Sequence, residues 1–274
     1  MWQEFIHRRL RMPYKLQVTE YHAPKRYKVT VIMLHGIGSS AQMWEPVAKH
    51  LPDDIRIIAI DLLGFGASPK PSWKAYSTKT QADSIVTTLF GLKIRGPVVV
   101  VGHSLGALVA VEFARRYPIM TKSLLLVSPP FYDAEGPKGH LGYRPDFILK
   151  KLHDVFEGRP ADAERLLRLA SRYNLVNRGF EANSVNVTSF LATLEAAIIN
   201  QTSMRDAASV KRPTHIISGT LDALVLKRNI DRLMKQNNRI SHQRVVGGHE
   251  IIGTMQSATV RSLVRATEEA KNRV

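Results

Sequence analysis

The chain has 274 residues, no cysteine and a formal net charge of +16, from 39 lysines and arginines against 23 acidic residues. That length buries one sizeable core, and the missing thiols exclude disulfides and thiolate metal sites. No apolar run reaches the roughly 20 residues of a membrane-spanning helix, and Met1–Met12, interrupted by Arg8, Arg9 and Arg11, lacks the apolar centre of a secretory leader, so a cytoplasmic protein is expected.

Leu16–Tyr21 and Lys28–Leu34 read as strands, Ala41–His50 as a helix and Ile55–Asp61 as a third strand. A turn-rich loop with Gly64, Gly66, Pro69 and Pro71 leads to a helix over about Thr78–Leu92. Then come a strand Val98–Val101, a helix from Ala107 to Tyr117 and a strand Ser123–Ser128. After Pro129-Pro130 the rhythm changes: to about Val210 no strand pattern occurs, and helices are expected near Asp146–Phe156, Ala161–Tyr173 and Val187–Asn200. Strands return at Thr214–Gly219 and Ser241–Val246. Alternating strands and helices of these lengths imply parallel βαβ units, an α/β class. There is no internal repeat and no low-complexity tract.

The chemistry concentrates at Gly102-His103-Ser104-Leu105-Gly106, a G-x-S-x-G motif fed by Val98–Val101 and followed by a helical pattern. Such a strand–turn–helix junction holds its serine on a tight bend with the hydroxyl lifted clear of the sheet. Gly102 and Gly106 sit where a Cβ would collide as the helix doubles back over the strand. A nucleophilic serine needs a base, and the base needs an acid to orient it. Asp222 follows the strand Thr214–Gly219 and His249 follows Ser241–Val246, both at carboxyl ends where open α/β sheets place their sites. Upstream, the strand Lys28–Leu34 runs into His35-Gly36-Ile37-Gly38, the expected oxyanion loop. Its Ile37 amide would join that of Leu105, beside the nucleophile, in binding a tetrahedral oxyanion, each donor contributing about 3 kcal/mol.

With these motifs in view, the sequence resembles the α/β-hydrolase superfamily over nearly its whole length. The residues that carry the resemblance are His35-Gly36, Asp61–Ser68, Gly102–Gly106, Gly219-Thr220-Leu221-Asp222 and Gly248-His249. It implies an eight-stranded, mostly parallel sheet between helical layers, formed by 1–128 and 211–274, with a helical cap inserted at 129–210. It also implies that Ser104, Asp222 and His249 form the triad, with no metal and no cofactor. The strand before Pro129 ends in Ser128, which offers no carboxylate to compete with Asp222. Serine at 104 disfavours the relatives that use an aspartate nucleophile, such as haloalkane dehalogenases. Carbon–carbon hydrolases of ring-cleavage products share the loop and elbow but carry Trp after the catalytic histidine, where this chain has Glu250.

The expected function is therefore a carboxylic ester hydrolase acting on small to medium apolar esters through an acyl-enzyme. The alternatives are a carbon–carbon hydrolase and a non-catalytic ligand receptor on the same scaffold. Activity is expected to fall on the acid side as the base protonates. Asp61, at the head of the Gly64-Phe65-Gly66 loop, reads as a loop-stabilising residue, and His35 and His103 as structural members of their motifs. Trp44, Phe131 and Tyr132 are candidates for the substrate pocket, with Phe65 beside them. The basic excess lies on the terminal segments, +5 over residues 1–30 and +6 over residues 226–274. Such surfaces attract polyanions, yet no nucleic-acid motif is present and no nucleic-acid partner is expected. Trp2, Phe5, Ile6 and Leu10 lie at helical spacing among arginines, a stripe suited to weak contact with an anionic surface or membrane, or to packing on its own domain.

Overall fold

Strands that are apolar at every position need cover on both faces, and here they have it. In the computed structural model, which describes residues 5–94, 96–132, 145–156, 159, 161–165 and 184–272, seven strands form one sheet. They are β1 (Val18–His22), β2 (Thr30–Leu34), β3 (Arg56–Ile60), β4 (Val98–His103), β5 (Thr121–Val127), β6 (Thr214–Gly219) and β7 (Ile240–Val245). Their order is β1-β3-β2-β4-β5-β6-β7, with β1 antiparallel to β3 and every other pair parallel.

Alternate side chains enter two separate cores. Ile32, Leu34, Ile58, Ile60, Val98, Val100, Leu124 and Leu126 pack into one cluster. Val31, Met33, Ile57, Ala59, Val99, Val101, Leu125 and Val127 pack into the other. The first is roofed by α2 (Thr78–Gly91) and α3 (Leu105–Arg116), with α6 (Ser203–Ser209) and α7 (Lys227–Gln236). The second is closed by α1 (Glu45–Ala48) and α8 (Thr254–Lys271). Ser77 caps α2 by accepting the Thr80 amide at 3.2 Å.

The eighth strand implied by the resemblance is not among the described residues. The chain ahead of β1 has committed its donors elsewhere. Pro13 has no amide hydrogen, the Leu16 amide donates to Thr88 Oγ1 at 2.9 Å and the Gln17 amide to Ser68 Oγ at 2.9 Å. Amides held by side chains cannot extend a ladder, so β1 is the sheet edge. The helix expected over Ala41–His50 is also divided, into a 3₁₀ turn at Ala41–Trp44 and the short α1. Pro46 explains the division: it has no amide to bond back to Gln42, and proline is tolerated only in the first turn of a helix.

Between β5 and β6 the described residues hold helices only: α4 (Pro145–Phe156), a helical segment at 161–165, α5 (Ser184–Thr193) continuing into a π-helical turn Leu194–Ile199, and α6. Of the helix expected over Ala161–Tyr173, residues 166–173 lie outside the described residues. Gln201 ties the entry of this insertion to its exit. Its Nε2 donates to the Pro130 carbonyl at 3.0 Å and its Oε1 accepts the Tyr132 amide at 3.3 Å. The last helix, α6, belongs with the core, since Met204 and Ala207 are buried in the α3 cluster. At the amino terminus Phe5 and Leu10 are exposed, while Trp2 lies outside the described residues. No helix among the described residues is long and apolar enough to cross a membrane.

Candidate active site

Parallel strands bring their carboxyl ends to one edge, and six loops with chemical content leave from it. His35–Gly38 follows β2, Asp61 follows β3, Ser104 follows β4, Ser128 follows β5, Asp222 follows β6 and His249 follows β7. Ser104 occupies the elbow with φ 51° and ψ −115°, a conformation that L side chains rarely hold. Its amide continues the ladder by donating to the Val127 carbonyl at 2.9 Å. The turn requires both glycines. A Cβ on Gly102 would stand 2.2 Å from the Gly106 carbonyl oxygen, and one on Gly106 2.2 Å from that of Leu34.

The same crowding seats the serine against the β2 loop. A Cβ on Gly36 would come within 3.4 Å of Ser104 Cβ and 2.9 Å of His103 Nδ1. The amides of Ile37 and Leu105 take no backbone partner among the described residues, Leu105 being the first residue of α3. His35 locks this loop to the next one. The Leu62 amide donates to its Nε2 at 2.9 Å, so the proton lies on Nδ1, which donates to the Gly36 carbonyl at 2.7 Å. Burial holds this imidazole below its ordinary pKa, and hence neutral, against the opposing pull of the Gly36 carbonyl and Asp61.

Asp222 and His249 meet. His249 Nδ1 lies 2.9 Å from one Asp222 oxygen and 3.1 Å from the other. The Asp222 side chain is fully buried, and the Leu224 amide also donates to it at 2.9 Å. Burial alone would raise this carboxyl. The His249 hydrogen bond and charge, the Leu224 amide and the neighbouring Ser128 hydroxyl outweigh burial and hold it below the usual carboxylate range. The ring of His249 keeps a fifth of its surface exposed, and its Nε2 is without a partner among the described residues.

His103 connects this pair to the elbow. Its Nε2 donates to the His249 carbonyl at 2.9 Å and the two rings lie 5.0 Å apart, which makes the residue next to Ser104 a direct neighbour of His249. His103 Nδ1 is buried and unpartnered among the described residues. Burial, with His249 close by, pushes its pKa down to about 3.

The expected pocket aromatics divide. Phe131 and Tyr132 are buried beside the acid loop: the Phe131 carbonyl accepts Asn229 Nδ2 at 2.6 Å, and the Tyr132 hydroxyl donates to the Leu224 carbonyl at 3.0 Å. Trp44 does not stand with them. It is wholly buried in the opposite cluster, with Val31, Met33 and Val47, and functions there as core. An aromatic on a short helix carries no local mark of which layer it enters. Phe65, buried in the first cluster, meets the His35 ring edge-on at 5.8 Å. A residue that motif reasoning passed over also belongs to the site: Ser128 Oγ donates to the His249 carbonyl at 3.0 Å. The described residues contain no cluster of His, Asp and Glu that could hold a metal ion.

Residues 29–252 match the α/β hydrolase fold family. The chain belongs to that family. Among curated relatives of this α/β hydrolase, a probable lysophospholipase, BODYGUARD 4 of Arabidopsis thaliana, is 40% identical over 104 residues, 37% of this chain and 25% of that protein. The chain thus spans about a quarter of the length of the plant relative it matches. The pimeloyl-[acyl-carrier protein] methyl ester esterase of Pseudoalteromonas atlantica is 27% identical over 227 residues, covering 77% of this chain and 83% of the relative. A thermophilic esterase from Thermogutta terrifontis, solved with malate bound, superposes with a TM-score of 0.71 at 19% identity, over 93% of this chain and 94% of that one. At that identity the likeness is one of fold.

Proposed function

We propose that this α/β hydrolase cleaves carboxylic esters of small to medium apolar acids through an acyl-enzyme, with Ser104 as nucleophile, His249 as general base and Asp222 as the acid that orients it. One observation supports this most: the imidazole at 249 is bonded through Nδ1 to a buried carboxylate, while its Nε2 takes no partner among the described residues and can accept from a hydroxyl. The esterases and the lysophospholipase among the relatives point to the same bond type.

His249 Nε2 takes the Ser104 proton as Oγ attacks the ester carbonyl, and the amides of Ile37 and Leu105 receive the oxyanion. The imidazolium, stabilised by Asp222, returns the proton to the leaving alkoxide. Water then enters, loses its proton to the same nitrogen, attacks the acyl carbon and restores Ser104 as the acid leaves. The insertion that begins at 129, up to but not including α6, which packs with the core, serves as the cap over this edge, with Phe131 and Tyr132 where it begins.

The test is multiple turnover of p-nitrophenyl acetate and butyrate, with fluorophosphonate labelling alongside. Ser104→Ala is expected to lower kcat by at least about a thousandfold and to abolish labelling. Labelling that persists in Ser104→Ala means another nucleophile, and a single-turnover burst without steady turnover means a receptor.

A further inference from the structure

We propose that Ser128 is a positioning residue for the general base, fixing the His249 loop through its hydroxyl; the proposal rests on the reading of His249 as that base. The loop before His249 needs such an anchor. Gly247 and Gly248 precede it; Gly247 is held by the Leu221 amide, which donates to its carbonyl at 2.9 Å, whereas a Cβ at Gly248 would meet nothing within 4 Å, so the residue just before His249 is open on its side-chain face. The hold comes instead through the His249 carbonyl, which accepts Ser128 Oγ at 3.0 Å and His103 Nε2 at 2.9 Å. Two donors from the ends of β5 and β4 thus occupy both acceptor positions of one carbonyl. The imidazole is fixed at its ring by Asp222 and at its backbone by these two.

Ser128 is built for this at a cost. It is completely buried and sits at φ 51°, where a side chain is disfavoured. Its amide donates to the Ile217 carbonyl at 2.8 Å, which anchors the residue between β5 and β6. A strained, buried, non-glycine residue persists where its surroundings over-determine it, and such positions cluster at functional sites. Here the side chain explains why the position is not glycine.

The strain makes the test sharp, because glycine relieves it while removing the hydroxyl and alanine keeps it. Ser128→Gly and Ser128→Ala are compared with the parent for kcat, KM and Tm on p-nitrophenyl butyrate. Both are expected to lose about tenfold in kcat with KM within about twofold, the Gly variant melting no lower than the Ala variant. A Gly variant with parental kcat overturns the proposal, since backbone geometry alone would then account for the residue. A second readout is independent of turnover: the downfield proton resonance of His249 Nδ1–H on Asp222, assigned by its absence in His249→Gln. It is expected to shift or broaden in both variants, and an unchanged resonance overturns the proposal. Should the parent fail to hydrolyse any ester, the proposed function falls and this resonance alone decides the role of Ser128. If Ser128→Ala does not fold, the Gly variant carries both readouts.

Discussion

At the scale of single residues the elbow is governed by clearances, and these make a paired experiment possible. A methyl on Gly106 would lie 2.2 Å from the Leu34 carbonyl oxygen and 2.7 Å from that of His35, both backbone atoms that cannot swing away. Gly106→Ala must therefore push α3 off the sheet. We expect it to cost about 3 kcal/mol in urea unfolding and most of the ester turnover, since the serine rides on that helix. Gly248→Ala, with nothing within 4 Å of the new methyl, is expected to stay within about 0.5 kcal/mol of the parent. Equal losses in the two variants would contradict this account of the crowding. The motif glycines were legible beforehand because a helix doubling back over a strand leaves no room for a side chain at those positions. Ser104, Asp222 and His249 were legible as strand-end residues near turn signals. Ser128 was not, because its partner is a carbonyl 121 residues away and no local pattern announces that contact. Trp44 was misplaced for a related reason: burial of an aromatic is decided by the layer it meets after folding.

At the scale of elements, the apolar strands were readable because runs such as Val98–Val101 have no polar face to show to water. Their ends were less so. β4 runs on through Gly102 and His103, since the ladder with β5 continues to the elbow, from His103 opposite Val127. The loop after β3 illustrates what joins elements together. Asp61 accepts the Ala41 amide at 2.6 Å through one oxygen and the Ala67 amide at 2.8 Å through the other. One buried carboxylate therefore staples the start of the 3₁₀ turn to the Gly64–Ser68 loop, two donors that would otherwise be orphaned. Asp61→Ala is expected to lower stability by about 3 kcal/mol, whereas Asp61→Asn, which retains one acceptor oxygen, should lose roughly 1–2 kcal/mol. Matched urea titrations of the three proteins measure the difference, and an alanine variant as stable as the parent would show the staple to be redundant.

At the scale of the whole molecule, the histidines set how the fold responds to acid. Burial lowers the pKa of His35, takes His103 down to about 3 and His242 to about 4, and lowers His215. Other neighbours modulate each of these: Asp231 pulls His242 upward while Arg244 and Lys227 push it down, and His249 adds to the lowering of His103. An imidazole with a folded pKa below its unfolded value of about 6.5 binds its proton more readily in the unfolded chain. The stability it supports is then complete above pH ~6.5 and declines as the pH falls toward the folded values, unfolding being accompanied by proton uptake. Asp222 acts in the same sense lower down: its carboxyl is held below the ordinary range, so its contribution is present above pH ~4 and is lost as the pH falls through the folded value. A net charge of +16 adds to the trend, since each proton gained raises an already positive total. His103, almost without exposed surface and with a folded pKa of about 3, contributes a slope of roughly 1.4 kcal/mol per pH unit below that threshold, and His35, also buried, acts in the same direction. His103 alone removes about 2 kcal/mol between pH ~6.5 and pH ~5, or about 5 °C in Tm for a chain of this size. Calorimetry across that interval is expected to show the decline, and a His103→Gln variant, which keeps a donor for the His249 carbonyl but has no titrating group, should show a flatter one. A Tm level from pH ~7 to pH ~5 would mean that the unfolded and folded chains hold these protons alike, contrary to the burial of both rings.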